Sequence, residues 1–398
     1  MRTSSILGSA LLIAASSLVS FSAFADDDAN KLKIQPTGRI LADGALFAPT
    51  QDGRFANGVA LADIRIGAKA TFGNWMAKLD VGYAWGKIGM KDVYIQYKFN
   101  PNNLIRGGYF VHQFGLQSAT SSSMKCTFEA PITDTYMNAT GRNLGVMYLY
   151  DKDKFLAGVS AICGTSLTTP ANNMGVVSGG AITRLLYRPF NTPGTIFQFG
   201  LSAWYQTGFH NRTGEKTSTG YFSYSANYPT RVDQVSLLNT TIDDAKGVVK
   251  LSPELLFSKG RVALEGQYYY MNVNRRHAFK PFISQGAYGT LRTLIIGDKE
   301  YGYSSADGGL ATPKPKTLEC VLGYNYTKAS DAKAAIYGGI TNDYSVTFNY
   351  YINKYMLARL RWSYTDLREA GSFDDNGHLS IAPRSHVNII EARLQFLF

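Results

Sequence analysis

After its first 25 residues the chain has no apolar run approaching the roughly 20 residues that a membrane-spanning helix needs. Nor is a 3.6-residue helical periodicity sustained anywhere along it. Both absences argue against a helical membrane protein and a helical bundle. Cysteine is scarce. Cys126, Cys163 and Cys320 cannot all pair, so no disulfide framework organises the fold, although one Cys126–Cys163 bridge is left open. No H-E-x-x-H, G-x-S-x-G or P-loop motif is present, and His112, His210, His277, His378 and His386 are scattered. Catalysis would need a dyad assembled from distant strands, so the chain reads as a non-enzyme without cofactor or metal. Runs of basic residues are missing as well. The formal charge is +11, but lysines and arginines are spread along the alternating strands rather than gathered in runs. That pattern fits a cationic interior better than a nucleic-acid surface.

The N-terminus is an export signal in form. Arg2 gives a positive start, Ile6 to Phe24 is largely apolar, and Ala23-Phe24-Ala25 is a small-x-small cleavage site. Residues 1–25 are expected to be removed before Asp26; the alternative is a retained anchor. An exported chain with no further apolar helix enters a membrane only as a closed barrel, where every backbone group finds a partner.

What the chain does have is alternation. Ile390, Ala392, Leu394, Phe396 and Phe398 are apolar or small, with Glu391, Arg393 and Gln395 between them. A strand puts alternate residues on opposite faces. One greasy face and one charged face suit a wall with lipid outside and water inside. The segment resembles the closing strand of a bacterial outer-membrane barrel, and a half-buried strand of a soluble sandwich is the alternative. Mean hydropathy is −0.13, which a barrel tolerates because only one face of each strand meets lipid. Tyrosine (26) and phenylalanine (22) are abundant enough for interfacial girdles, and glycine (39) for crowded strands and tight turns.

The same alternation recurs in 63–70, 78–83, 92–98 and 104–110. Further strands are expected at 144–150, 155–162, 182–188, 197–206, 250–257, 262–272, 287–296, 318–326, 345–352 and 358–365. Short turns (Gly73-Asn74, Asp151-Lys152-Asp153, Asn353-Lys354) alternate with long polar stretches at 207–236, 297–317 and 367–385. Short turns at one end and long loops at the other are the outer-membrane layout, and bacterial barrels have an even strand number. The expectation is an all-β, antiparallel transmembrane β-barrel of sixteen strands, forming one domain over residues 26–398.

Several segments carry a family resemblance in order. They are Arg106-Gly107-Gly108-Tyr109-Phe110, Gln113-Phe114-Gly115-Leu116-Gln117, Ser121 to Ser123, Phe128-Glu129 and Gly141-Arg142-Asn143-Leu144-Gly145. Gly38 to Asp43, Gly260 to Glu265, Gly286 to Tyr301, Leu318-Glu319 with Gly323-Tyr324, and Asn349-Tyr350-Tyr351 keep the same order. The chain resembles the phosphate-selective porin O and P family over essentially its whole mature length. That resemblance implies trimeric sixteen-stranded barrels with a long loop after the fifth strand folded into the pore, here about 118–138. It also implies lumenal arginines and lysines that pass anions. The sequence departs from the family pattern at Ala62-Asp63, where a basic pair is common, at Val111 in place of lysine, and at Ala130 and Gly323 in place of arginine.

The candidate anion path is Arg39, Arg65, Lys69, Lys78, Lys98, Arg106 and Arg142, and the candidate constriction loop carries Lys125, Phe128 and Glu129. Rings of Arg and Lys are how pores favour anions, and guanidinium forks hold oxyanions through paired hydrogen bonds. The competing reading is that Asp43, Asp63, Asp80, Asp92 and Glu129 neutralise these cations within the wall. The expected activity is passive diffusion of small hydrophilic solutes, with anions preferred and phosphate-like anions among them. The other reading is a structural or accessory barrel of an outer-membrane assembly. Expected partners are outer-membrane lipid and lipopolysaccharide, small anions, two further copies in a homotrimer and other envelope proteins, with no nucleic acid.

Overall fold

The computed structural model describes residues 31–48, 54–84, 86–137, 141–163, 178–208, 212–213, 216–217, 220–374, 376 and 378–398. The expected signal peptide and His210 lie outside the described residues, as does Asn138 at the end of the expected pore loop.

Sixteen strands form the wall. They are β1 (Lys33–Ala48), β2 (Gly58–Phe72), β3 (Trp75–Ala84), β4 (Lys87–Asn100), β5 (Asn103–Val111), β6 (Arg142–Lys152), β7 (Phe155–Cys163) and β8 (Gly179–Thr192). The series continues with β9 (Thr195–Thr207), β10 (Ala245–Lys259), β11 (Val262–Arg275), β12 (Phe282–Ile296), β13 (Thr317–Asp331), β14 (Ile336–Tyr351), β15 (Met356–Phe373) and β16 (Ser385–Leu397). Each is antiparallel to its sequence neighbour, and β16 pairs with β1, so the sheet closes with no free edge.

Alternation decides which face is which. On β16, Ile390, Leu394 and Phe396 are 48%, 49% and 40% exposed, whereas Glu391, Arg393 and Gln395 are at 2% or less. The greasy faces look outward and the charged faces are packed inside, the reverse of a soluble domain. Closure rests on glycine at one point. Gly38 N–H donates to the Phe398 carbonyl at 2.8 Å, and Phe398 N–H returns to Gly38 at 3.1 Å. A Cβ on Gly38 would come within 2.2 Å of the Phe398 ring, so only glycine admits the terminal aromatic.

Short turns join β2–β3, β4–β5, β6–β7, β8–β9, β10–β11 and β14–β15 at one end. Gly73 and Gly194 take positive φ there (53° and 74°). Two polar stretches expected as plain loops are partly strand. Strand β15 runs on to Phe373 and pairs with Leu379–Ile381. Within the β9–β10 connection, Phe222–Asn227 pairs with Ser236–Ile242. The 297–316 stretch departs from the expected layout in a different way. It leaves from the short-turn end, and the next subsection follows its course.

Candidate pore and its inserts

The β5–β6 connection carries two short helices, α1 (Gly115–Ala119) and α2 (Ile132–Met137). Its polar groups meet the inner faces of strands most of the way round the barrel. Gly115 N–H donates to Ser202 Oγ on β9 (2.9 Å), and Gln117 Nε2 to Glu265 on β11 (2.8 Å). Asn325 on β13 accepts from Thr133 N–H (3.2 Å), and Asn349 on β14 donates to the Cys126 carbonyl (2.8 Å). Arg359 on β15 and Gln395 on β16 both donate to the Ser123 carbonyl, at 3.2 and 3.0 Å. A segment held by inner faces from β9 to β16 lies inside the lumen. Gly115 (φ 79°) is required at its start, because a Cβ would sit 1.7 Å from Gln267 Nε2.

A second insert enters from the opposite end. Residues 297–316 place the Gly308 carbonyl on Gln198 Nε2 (2.7 Å) and on Arg184 (3.2 Å), with Asp307's carbonyl on Arg184 Nη1 (2.7 Å). Thr312 meets the Met124 sulfur at 3.3 Å, so the two inserts touch. The Phe222–Ile242 hairpin adds an apolar cluster at the long-loop end, where Tyr136 donates to or accepts from Thr240 at 2.6 Å and Leu238 is fully buried.

Around the β8–β1 part of the wall, arginines are fixed in carboxylate pairs. These are Arg184–Glu254 (2.7 Å), Arg292–Glu319 (2.8 Å) and Arg361–Glu391 (2.5 Å). Arg393 holds Asp43 at 2.6 Å and Glu129 at 2.8 Å. None of these arginines was singled out from the sequence; each sits at a polar position of an alternating strand, which was the available signal.

The other half stays open. A cavity of about 800 Å³ runs between the β2–β6 wall, the 117–125 segment and the 303–312 segment. Its lining side chains include six bases and three acids. Arg65, Lys78, Arg106 and Arg142 are brought together there, with Lys125 on the loop. Lys69 and Lys98 lie on the same inner faces nearer the short turns and do not line it. Arg39 is buried instead between Asp63 (2.7 and 3.0 Å) and Ser122 (2.9 Å).

Neutralisation is uneven. Lys78 lies 2.9 Å from Asp80 and 3.2 Å from Asp92, and Arg142 lies 2.8 Å from Asp92. Asp63 serves three guanidinium groups: Arg39 at 2.7 Å, Arg231 at 3.1 Å and Arg65 at 3.4 Å. Arg65 is left with the longest contact, and its Nε has no partner among the described residues. Lys91, which alternation would turn toward lipid, also lines the cavity. Register explains it: Leu79 pairs with Val93 and Val81 with Met90, so Lys91 and Asp92 together oppose Asp80 in a bulge. Gly82 opens the space for its stem, since a Cβ there would be 2.9 Å from Lys91 Cε.

In the loop, Phe128 is fully buried beneath Arg393 (4.5 Å) and Arg361 (5.2 Å). Burial alone would raise the Glu129 carboxyl, but Arg231 and Arg393 override it and hold it at about 2. Burial lowers Lys125, whose ammonium donates to the Gln117 carbonyl (2.5 Å) and side chain (2.9 Å). Phe128 and Glu129 are therefore anchors of the insert to the wall, and the edge that lines the cavity is formed by Ser118 to Ser122 and Met124. Cys126 is buried, with its thiol pushed up to about 11 by burial, and all three cysteines are free, so the Cys126–Cys163 bridge is not formed. Among the described residues no His, Cys, Asp and Glu group has the makings of a metal site.

The model of the phosphate-selective porin O and P family matches residues 56–398. The chain belongs to this family. Solved structures share the porin's fold. OmpT of Vibrio cholerae is 12% identical over 94% of this chain and 100% of its own, with a TM-score of 0.54. The outer-membrane channel DcaP of Acinetobacter baumannii is 11% identical over 94% and 100%, with a TM-score of 0.52. OmpF of Salmonella typhi is 13% identical over 94% and 99%, with a TM-score of 0.50. At these identities the likeness is one of fold. No curated protein matches the sequence. Fold and family together make this an outer-membrane porin. Two of its departures from the family pattern converge: Ala130 and Gly323 both line one gap of about 20 Å³ against Arg361.

Proposed function

We propose that this porin is a passive diffusion channel for small hydrophilic solutes with a moderate general preference for anions. The observation that carries the reading is the open cavity against β2–β6, where six basic side chains face three acidic ones; behind its lining, Asp63 is divided among Arg39, Arg65 and Arg231. A low-dielectric wall focuses such a field and concentrates anions. Residues 118–124 act as the constriction, with Arg65, Lys78, Lys91, Arg106 and Arg142 as the anion path. Tight phosphate binding is not part of the proposal, because Ala130 and Gly323 leave a small gap where the family pattern has arginines. Residues 1–25 are taken as a cleaved export signal, and lipopolysaccharide and lipid as the surroundings of the outer face. A homotrimer is proposed with support from OmpT of Vibrio cholerae, which has a trimer form.

Inserts from both ends and the apolar cluster at the mouth favour a second reading, an accessory barrel that conducts little. Single-channel recording of the full-length protein in a planar bilayer separates the two. Discrete open steps support the channel, and a silent, correctly assembled barrel supports the accessory subunit.

A further inference from the structure

The cavity is one-sided in a way that bears on which anions it suits. Apart from Lys125 its cations all come from the wall: Arg65 on β2, Lys78 on β3, Lys91 on β4, Arg106 on β5 and Arg142 on β6, with Lys78 and Arg142 shared with Asp80 and Asp92 and Arg65 left with the longest contact to Asp63. The facing surface, built from the two inserts, offers Ser121, Thr120 and Thr312 hydroxyls and the Asp134 and Asp307 carboxylates beside Met124, Leu310 and Ala311. Lys125 also reaches the cavity, but Gln117 holds its ammonium at 2.5 and 2.9 Å.

Apolar surface also lies among the wall cations. Lys78 is the register partner of Tyr94, and Tyr94 and Phe110 meet edge to face at 5.6 Å. Arg106 sits over the Tyr94 ring at 4.3 Å, with Gln96 accepting from its Nε (3.2 Å) and Nη2 (2.8 Å). Its guanidinium is thus a planar fork in a fixed plane, suited both to a carboxylate edge and to a stacked ring. Lys91 and Gln96 are five residues apart, so a basic layer, an aromatic pair and a second basic group follow one another over on the order of 15 Å.

A bare tetrahedral oxyanion presents acceptors all round and is best held by donors on every side. Charge and aromatic rings on the wall, with methionine and leucine opposite, match a different shape. We propose that the cavity prefers organic anions with a compact apolar body, aryl carboxylates above all, over inorganic oxyanions and over short carboxylates. The carboxylate would meet Arg65 and Lys91, and the body would slide along Met124, Leu310, Tyr94 and Phe110. Methionine suits this because its flexible thioether adapts to rings of varied outline. The inference rests on the anion-preferring channel proposed above.

The test uses full-length porin in planar bilayers bathed in potassium chloride, with benzoate, acetate or inorganic phosphate added to one side. Benzoate and acetate carry the same charge, and only benzoate has a ring. Benzoate is expected to reduce chloride conductance at about one-tenth the concentration that acetate requires, and below phosphate as well, a difference that modest apolar contact supplies. Replacing Met124→Ser together with Leu310→Ser should bring the benzoate and acetate concentrations together. In a chloride-preferring pore, equal potency of benzoate and acetate overturns this inference and leaves the channel reading standing. A wild-type pore that prefers potassium overturns both. The wild-type comparison decides the matter even if the double variant fails to assemble.

Discussion

Arg393 on the last strand and Asp43 on the first stand opposite each other across the closing seam and are joined by two hydrogen bonds, 2.7 and 2.6 Å long. The same guanidinium donates to the Phe128 carbonyl (2.8 Å) and to Glu129 (2.8 Å). One side chain therefore ties the seam of the barrel to the insert in its lumen. Removing it strands the buried Asp43 carboxylate and leaves Glu129 to Arg231 alone. Arg393→Ala is expected to destabilise the barrel by about 3–5 kcal/mol, read as a lower guanidinium midpoint for loss of β structure. Arg393→Lys should recover only part, because a point charge cannot make the paired contacts. An unchanged midpoint for Arg393→Ala would show that the seam is held elsewhere.

Phe398 and Gly38 complete the closure by backbone pairing. Phe398→Asp places a charge at the end of a lipid-facing row, and Gly38→Leu puts a side chain where the terminal ring lies. Both should lower the fraction of heat-modifiable, assembled barrel in membrane extracts. Normal assembly of either variant would mean that the terminal pairing is dispensable.

The insert has an acid limit. The Glu129 carboxyl is held at about 2 in the fold against 4.5 for an ordinary glutamate. A depressed carboxyl stabilises the fold fully above its unfolded value, and that stabilisation disappears as pH falls through the folded one. Anchoring by Arg231 and Arg393 should therefore weaken between pH 4.5 and 2. Pepsin cleavage at Phe128, normalised to an unstructured peptide of the same sequence, should accelerate across that range. Glu129→Gln should be cleaved readily throughout it. A flat normalised rate for the wild type would show that other contacts suffice.

Ser121 to Lys125 forms much of the loop edge that bounds the cavity. Deleting these five residues should raise single-channel conductance, since the space they occupy opens to ions. Unchanged conductance would place the narrowest part of the pore elsewhere, with the 297–316 insert the next segment to shorten.

Strand order and facing were legible because a lipid-exposed wall enforces a two-residue period, and β16 alone carries both its greasy and its charged row. Lys91 was hidden for the complementary reason: a bulge opposite Asp80 breaks that period, and nothing local in Met90-Lys91-Asp92 announces it. The position of the 112–141 insert followed from the family resemblance. Its anchoring by Arg359 and Arg393 did not, because those contacts join residues more than 230 positions apart. Residues 297–316 read as an ordinary polar loop since polarity does not distinguish a loop in solvent from one folded into a water-filled lumen. Arg39 shared its face with Arg65, yet only the three-dimensional placement of Asp63 and Ser122 separates the fully buried arginine from the partly buried one that lines the cavity.

The central claim is a channel whose uncompensated cations attract anions, and reversal potential in a planar bilayer under a potassium chloride gradient tests it most directly. The wild type should prefer chloride. Arg65→Ala combined with Lys91→Ala should lower the chloride-to-potassium permeability ratio, and the effect should shrink toward 1 M salt, where the screening length falls to about 3 Å. A wild-type reversal potential of the opposite sign, favouring potassium, would mean that Asp63, Asp80 and Asp92 govern the lumen and would contradict the account.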